Sequence, residues 1–348
     1  MTQAIVVEGL RKKFGHREVL HGLDFAVEAG TVFGVIGPNG AGKTTTMRCL
    51  LDIIRPSAGS ISVLGQHPRS AGTSLRRRIG YLPGELHLEN RTTGRRTLEH
   101  FAAISGPVDP HHVNDLADRL NLDLDRQTRK LSKGNKQKLG LLQAFMHQPE
   151  LLVLDEPTSG LDPLVQQVFH AMVREAVAAG ATVFLSSHVL SEVQQAADAV
   201  AILRDGEIVT VSTVEALRMA AVRQLRFNST GTAANDVGAL LARVPGVANV
   251  AVRELPADGH AAGTVVATAT LSGHVQLLVQ ELARLNLTDL VLEEPDLEEA
   301  VLTLYTGGAD AEPAADTSAG GSAGTAGSAA SAGNAAASPR RTEGAHRA

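Results

Sequence analysis

Gly37-Pro38-Asn39-Gly40-Ala41-Gly42-Lys43-Thr44 matches the pattern G-x-x-x-x-G-K-[ST], with Thr45 following, and its flanks narrow the fold sharply. The apolar run 32–36 ahead of it reads as a buried strand, and 45–51 behind it continues as a helix. Strand, glycine-rich loop and helix in that order let backbone N–H groups converge on an anion at the positive end of a helix. In such a loop Lys43 contacts the β- and γ-phosphates of a nucleotide, and the Thr44 hydroxyl ligates Mg²⁺. Further apolar runs at 151–154 and 182–185, with a helical stretch at 164–178 between them, predict an α/β fold. Its parallel strands are buried on both faces and sandwiched by helices. Asp205-Gly206, between apolar runs 199–204 and 207–211, suits the positive backbone angles of a tight hairpin turn.

Three segments separate by pattern. Residues 1–218 carry the phosphate loop. Residues 221–305 read strand 224–228, helix 236–244, strands 247–255 and 264–271, helix 275–286, strand 290–292 and a final helix from Asp296. This βαββαβ order predicts a small α+β, ferredoxin-like accessory unit. Asp296 and Glu299 form a capping box just after Pro295. Residues 307–348 hold no Val, Ile, Leu, Phe, Met, Tyr or Trp. An Ala/Gly/Ser chain cannot bury enough apolar area to offset roughly 1–2 kcal/mol of backbone entropy per residue, so this tail is expected to be disordered.

Composition narrows the partners. A formal charge of -5 gives no overall basic field, so no nucleic-acid partner is expected. Cys49 is the one cysteine, which excludes an internal disulfide framework and fits a reducing compartment; in the helix after the loop it reads as a packed core thiol. The start of the chain has no secretory-signal pattern, and no stretch approaches the roughly 18 apolar residues needed to span a bilayer. A role at a membrane is therefore expected to be that of a soluble subunit.

A second constellation adds chemistry. Leu131-Ser132-Lys133-Gly134-Asn135-Lys136-Gln137-Lys138 stands ahead of Leu151-Leu152-Val153-Leu154-Asp155-Glu156-Pro157. Asp155 ends an apolar strand, where its carboxylate can hold Mg²⁺ through water. Ser132 can cap a helix over 133–146, so that the free N–H groups of its first turn form an outward-facing anion site. These segments resemble the signature and Walker B segments of ATP-binding cassette (ABC) ATPases. The resemblance implies a P-loop NTPase domain with a helical subdomain over 1–218. It makes Glu156 the carboxylate that polarises the attacking water and His188, in Ser186-Ser187-His188, the switch histidine on the γ-phosphate. Lys43, Glu156 and His188 are then the catalytic residues. Nucleotide binding falls to Gly37, Pro38, Asn39, Gly40, Ala41, Gly42, Lys43, Thr44, Thr45 and Asp155, with Thr44 and Asp155 on the metal. Phe14 stands where the family stacks an aromatic ring on adenine. Ser159-Gly160-Leu161-Asp162 resembles the D-loop, which crosses a dimer interface. Ser132 and Gly134 would reach the ATP of a partner copy, so a homodimer with two composite sites is implied.

Two segments depart from the family pattern. Lys133 and Asn135 replace a glycine and a glutamine of the signature. In Ile79-Gly80-Tyr81-Leu82-Pro83-Gly84-Glu85, Gly84 stands where the Q-loop glutamine is usual, leaving Glu85 or a water to replace it. With Leu292-Glu293-Glu294-Pro295-Asp296-Leu297-Glu298-Glu299, these features resemble the ABC-2-type export ATPases. That resemblance implies MgATP hydrolysis driving export of a drug, antibiotic, lipid or polysaccharide through a separate integral-membrane permease. The chain would sit in the cytoplasm, peripheral on the inner face of the cell membrane. The alternative is a non-transport ABC ATPase in translation control or DNA repair. Those types usually carry two cassettes or a long inserted coiled coil, and this chain has one cassette with a short span from Lys43 to Ser132. A P-loop kinase or GTPase explains neither Ser132 nor His188, and Asn135-Lys136-Gln137-Lys138 fails to complete N-K-x-D.

Overall fold

The computed structural model describes residues 2–87, 91–220, 223–255 and 263–293. In chain order it runs β1 (Gln3–Phe14), β2 (Arg17–Glu28), β3 (Val32–Ile36), α1 (Lys43–Leu50), β4 (Ala58–Val63), α2 (Pro68–Arg76) and β5 (Ile79–Leu82). Three helices come after these: α3 (Gly94–Ser105), α4 (Pro110–Arg119) and α5 (Lys133–Phe145). Next come β6 (Leu151–Asp155), α6 (Pro163–Ala178), β7 (Thr182–Ser187), α7 (Leu190–Ala196), β8 (Ala199–Arg204), β9 (Glu207–Thr213) and α8 (Val214–Ala220). The last described elements are β10 (Arg223–Thr230), α9 (Ala234–Leu241), β11 (Val247–Glu254), β12 (Thr264–Leu271), α10 (Gln276–Leu282) and β13 (Asn286–Glu293).

The apolar runs at 32–36, 151–154 and 182–185 become neighbours in one sheet, of order β5-β6-β7-β3-β8-β9. Its first five strands are parallel, and β9 returns antiparallel through Asp205 (φ 48°) and Gly206 (φ 79°). Strand register sets the position of the loops. Asp155 pairs with Ser186, and Ile36 pairs with Ser187, so β3, β6 and β7 end side by side. The three loops leaving those ends carry the phosphate-loop motif, Glu156 and His188. Ligands of open α/β sheets bind at such carboxyl ends.

The two faces of this sheet are covered differently. Leu152, Leu154, Val183, Leu185, Val200 and Ile202 pack into a cluster with Leu139, Leu142, Phe169 and Val193 of the helices α5, α6 and α7. On the opposite face Phe33, Val35, Val153 and Phe184 meet α1 and a second, antiparallel sheet of order β2-β1-β4. Stacked rings of Phe25, Phe33 and Phe184, with centroids 5.8–5.9 Å apart, join the layers. The expected sandwich of helices on both faces is therefore corrected. The physical reason lies in β1 and β2: their ladder shifts register between Val7 and Leu10 and again before Arg11, which breaks the alternation that marks a strand in sequence. Cys49 lies in this core, and burial pushes its thiol up to about 11.

Strands β10–β13 form a separate four-stranded sheet, fully antiparallel, of order β11-β12-β10-β13. Leu225, Phe227, Val265, Ala267 and Leu271 pack against Val237 and Leu241 of α9 and Leu278 and Leu282 of α10. The helix expected from Asp296 and the tail 307–348 lie outside the described residues.

Candidate functional site

Between β3 and α1 the chain turns through Gly37–Gly42 with no room for side chains at two points. A Cβ on Gly42 (φ 112°) would stand 2.6 Å from Leu20 Cδ2, and one on Gly37 would overlap the Leu203 carbonyl. Gly42 is also the N-cap of α1 and brings no side chain to the helix's first N–H groups. Those groups have no intrahelical acceptor, so the loop presents a cluster of donors at the positive end of a helix. Lys43 is buried, its ammonium donating to the carbonyl oxygens of Gly37 (2.6 Å) and Pro38 (3.3 Å).

Asp155 joins this loop to the sheet. The Thr44 hydroxyl donates to Asp155 Oδ2 at 2.7 Å, and the Ser186 hydroxyl donates to Oδ1 at 2.6 Å. Ser186 Oγ also accepts from the Glu156 N–H at 3.0 Å. That bond holds Glu156 in a left-handed conformation (φ 50°), which an L-residue adopts at a cost of about 1–3 kcal/mol. The Glu156 carboxylate lies between two nitrogens: Lys43 Nζ is 3.4 Å from Oε1, and His188 Nδ1 is 2.7 Å from Oε2. A carboxylate so placed can orient a water and take up its proton. Burial, and secondly the Asp155 charge, raise the Tyr81 phenol above its ordinary range. The structure thus gathers Lys43, Thr44, Asp155, Glu156 and His188 into one cluster.

Two expected site residues lie outside this cluster. Ser132 caps α5, its hydroxyl accepting from the Asn135 N–H at 3.2 Å. Phe14 is 50% exposed near the β1–β2 turn, with the Lys12 ammonium 4.8 Å from the ring centroid. Gly134 lies against the segment 159–162, where a Cβ would stand 2.8 Å from the Gly160 carbonyl oxygen. The Lys133 stem runs along Gly160. At Gly84 a Cβ would stand 3.1 Å from Asp155 Oδ2, and Glu85 is exposed.

Several partners in the network escape sequence reasoning. Gln137, buried on α5, donates to the carbonyl oxygens of both Glu156 and Pro157 at 3.1 Å, tying the signature helix to the segment after Asp155. Ser186 is a second. Both are buried polar side chains, which says that each has a partner without saying which. Among the described residues no group of three His, Cys, Asp or Glu gathers around a common point. The oxygens of Thr44 and Asp155 fit a hard cation that draws its other ligands from phosphate and water.

The ABC transporter family model matches residues 20–159. The daunorubicin resistance ATP-binding protein DrrA3 of Streptomyces coeruleorubidus is 35% identical over 314 residues, which cover 86% of this chain and 95% of that protein. The chain belongs to the ABC transporter family. It is an ATP-binding subunit of that family, and an ATPase. This ABC ATPase is also 34% identical to the bacitracin transport ATP-binding protein BcrA of Bacillus licheniformis, over 65% of this chain and 75% of that one. The Nod factor export ATP-binding protein I of Burkholderia lata is 35% identical over 60% of this chain and 70% of its own length. A solved ATP-binding subunit of an ABC transporter superposes with a TM-score of 0.58 at 29% identity, covering 62% of this chain and 92% of that one. ATP-binding subunits of this kind bind ATP and pair with a membrane permease. Among the described residues of this ABC ATPase, no helix is long and apolar enough to cross a membrane.

Proposed function

We propose that this ABC ATPase works as one half of a twofold homodimer, hydrolysing two MgATP molecules at sites shared between the copies. The turnover drives export through a separate integral-membrane permease. One observation carries the reading: Glu156 stands between the Lys43 ammonium and the His188 ring, beside the Thr44–Asp155 pair. In this role Lys43 and the N–H groups of 37–45 bind the β- and γ-phosphates. Thr44 and Asp155 supply oxygens to Mg²⁺, which neutralises phosphate charge when bound. Glu156 orients a water and accepts its proton as the oxygen attacks the γ-phosphorus and the bond to the β-phosphate oxygen breaks. His188 steadies the Glu156 carboxylate and donates to the γ-phosphate. Phe14 stacks on adenine.

The capped start of α5, with Ser132 and Gly134, supplies the second half of each site to the partner's γ-phosphate. Residues 221–305 form an accessory or regulatory unit, built on the β10–β13 sheet. The protein acts in the cytoplasm, peripheral on the inner face of the membrane. The relatives carry names of daunorubicin resistance, bacitracin transport and Nod factor export, which supports a cargo in the drug, antibiotic, lipid or polysaccharide class. Steady-state ATPase assays test the chemistry. Glu156→Gln should lower turnover by about 100-fold or more while MgATP still binds. Turnover at the wild-type rate contradicts the assignment.

A further inference from the structure

Glu192, on α7, has one oxygen at which two loops of the site meet. Its Oε2 accepts from Thr158 Oγ1 at 2.5 Å and from Ser187 Oγ at 2.9 Å. Thr158 lies two residues after Glu156, and Ser187 immediately precedes His188. The shorter bond has the length of a charge-assisted O–H···O⁻ contact. Both hydroxyls are buried, Thr158 at 4% exposure and Ser187 at 1%. Phe169, His170, Leu185 and Val193 line the surroundings, with a void of only about 10 Å³. Glu192 is thus the acceptor that both hydroxyls use in this setting.

The support beneath Glu192 is closely packed. Its neighbour Val193 is fully buried and packs on Gly34 of β3, where a Cβ would overlap the valine side chain. The missing Cβ thus seats α7 directly on the strand that leads into the phosphate loop. One carboxylate on this platform braces the main chain behind Glu156 and the main chain ahead of His188.

We propose that Glu192 is a positioning residue for ATP hydrolysis, holding the Glu156 and His188 loops in register so that their side chains stay within 2.7 Å of each other. It acts through those two residues, and the proposal rests on their assignment to the hydrolytic step. Losing the brace lets the loops separate while the phosphate loop keeps its shape. Turnover should then suffer and nucleotide binding should not.

The test measures kcat and KM for MgATP on the full-length protein, with the affinity of a fluorescent ATP analogue alongside. Glu192→Ala should lower kcat about tenfold, the effect of losing a buried bond to a charged acceptor, with KM and analogue affinity within about twofold of wild type. Glu192→Gln keeps an acceptor oxygen for both hydroxyls and should restore most of the rate. Thr158→Val removes one of the two bonds and should give an intermediate kcat, which keeps the test decisive if Glu192→Ala fails to fold. Wild-type kcat in Glu192→Ala or Thr158→Val overturns the proposal. So does a fall in kcat matched by an equal fall in nucleotide affinity. If Glu156→Gln itself turns over normally, the underlying assignment has failed. If Glu156→Gln is inactive while Glu192→Ala is normal, the brace alone has failed.

Discussion

Asp155 has both carboxylate oxygens engaged by hydroxyls, Oδ2 by Thr44 and Oδ1 by Ser186, and Gly84 packs close to Oδ2. A methyl group at Gly84 would approach Oδ2 to 3.1 Å, and Asp155 cannot retreat without stretching one of those two bonds. Overpacking of this kind costs about 1–3 kcal/mol, here at the oxygen proposed to serve the metal. Gly84→Ala should therefore raise the Mg²⁺ concentration needed for half-maximal ATPase activity several-fold, with Mg²⁺-free nucleotide affinity unchanged. An unchanged Mg²⁺ dependence contradicts that placement. Lys43, Asp155, Glu156 and His188 were legible because each sits in a short motif at the end of a strand that the apolar runs reveal. Ser186, Gln137 and Glu192 were not. Their importance lies in hydrogen bonds to residues far along the chain, and a serine or glutamine carries no local mark of its distant partner.

Secondary-structure elements were legible to the extent that their patterns were regular. Ser132 announces α5 and caps it, and Asp205-Gly206 turns β8 into β9. The bulged β1 and β2 stayed hidden, and with them the β-layer on one face of the main sheet. Contacts between elements also set the response to acid. Arg78 clamps Glu150 at the entry to β6, and Arg119 on α4 clamps Glu175 on α6; hydrogen bonds from the arginines hold both carboxyls below their ordinary range. Burial holds His147, after α5, and His170, on α6, below the usual histidine value of 6.5. A histidine with a depressed folded-state pKa contributes stability that is present above its unfolded value and lost as pH falls below it. The clamped carboxylates behave the same way below their ordinary value of 4.5. Both carboxylates are more than half exposed, so the histidines carry most of the effect. The thermal midpoint should fall as pH drops from 7 to 5, and fall further below pH 4.5. A midpoint that is flat or rising between pH 7 and 5 contradicts this assignment.

At the scale of the molecule, the proposed composite site has its two parts apart within one copy. The Lys43–Asp155–Glu156–His188 cluster is assembled at the ends of β3, β6 and β7, while the Ser132 hydroxyl serves its own helix. Gln137 ties that helix to the carbonyl oxygens of Glu156 and Pro157, and Gly134 packs close to Gly160. A second copy related by a twofold axis would bring each capped helix to the other's phosphate loop, and ATP would be the link between them. The proposal of this arrangement rests on the capped start of α5 and on the family's pattern, and its test needs the pair. Sedimentation velocity on the full-length Glu156→Gln variant tests it most directly. With saturating MgATP the variant should sediment as a dimer, and with ADP or no nucleotide as a monomer. A variant that remains monomeric in saturating MgATP, with nucleotide demonstrably bound, would contradict the composite site.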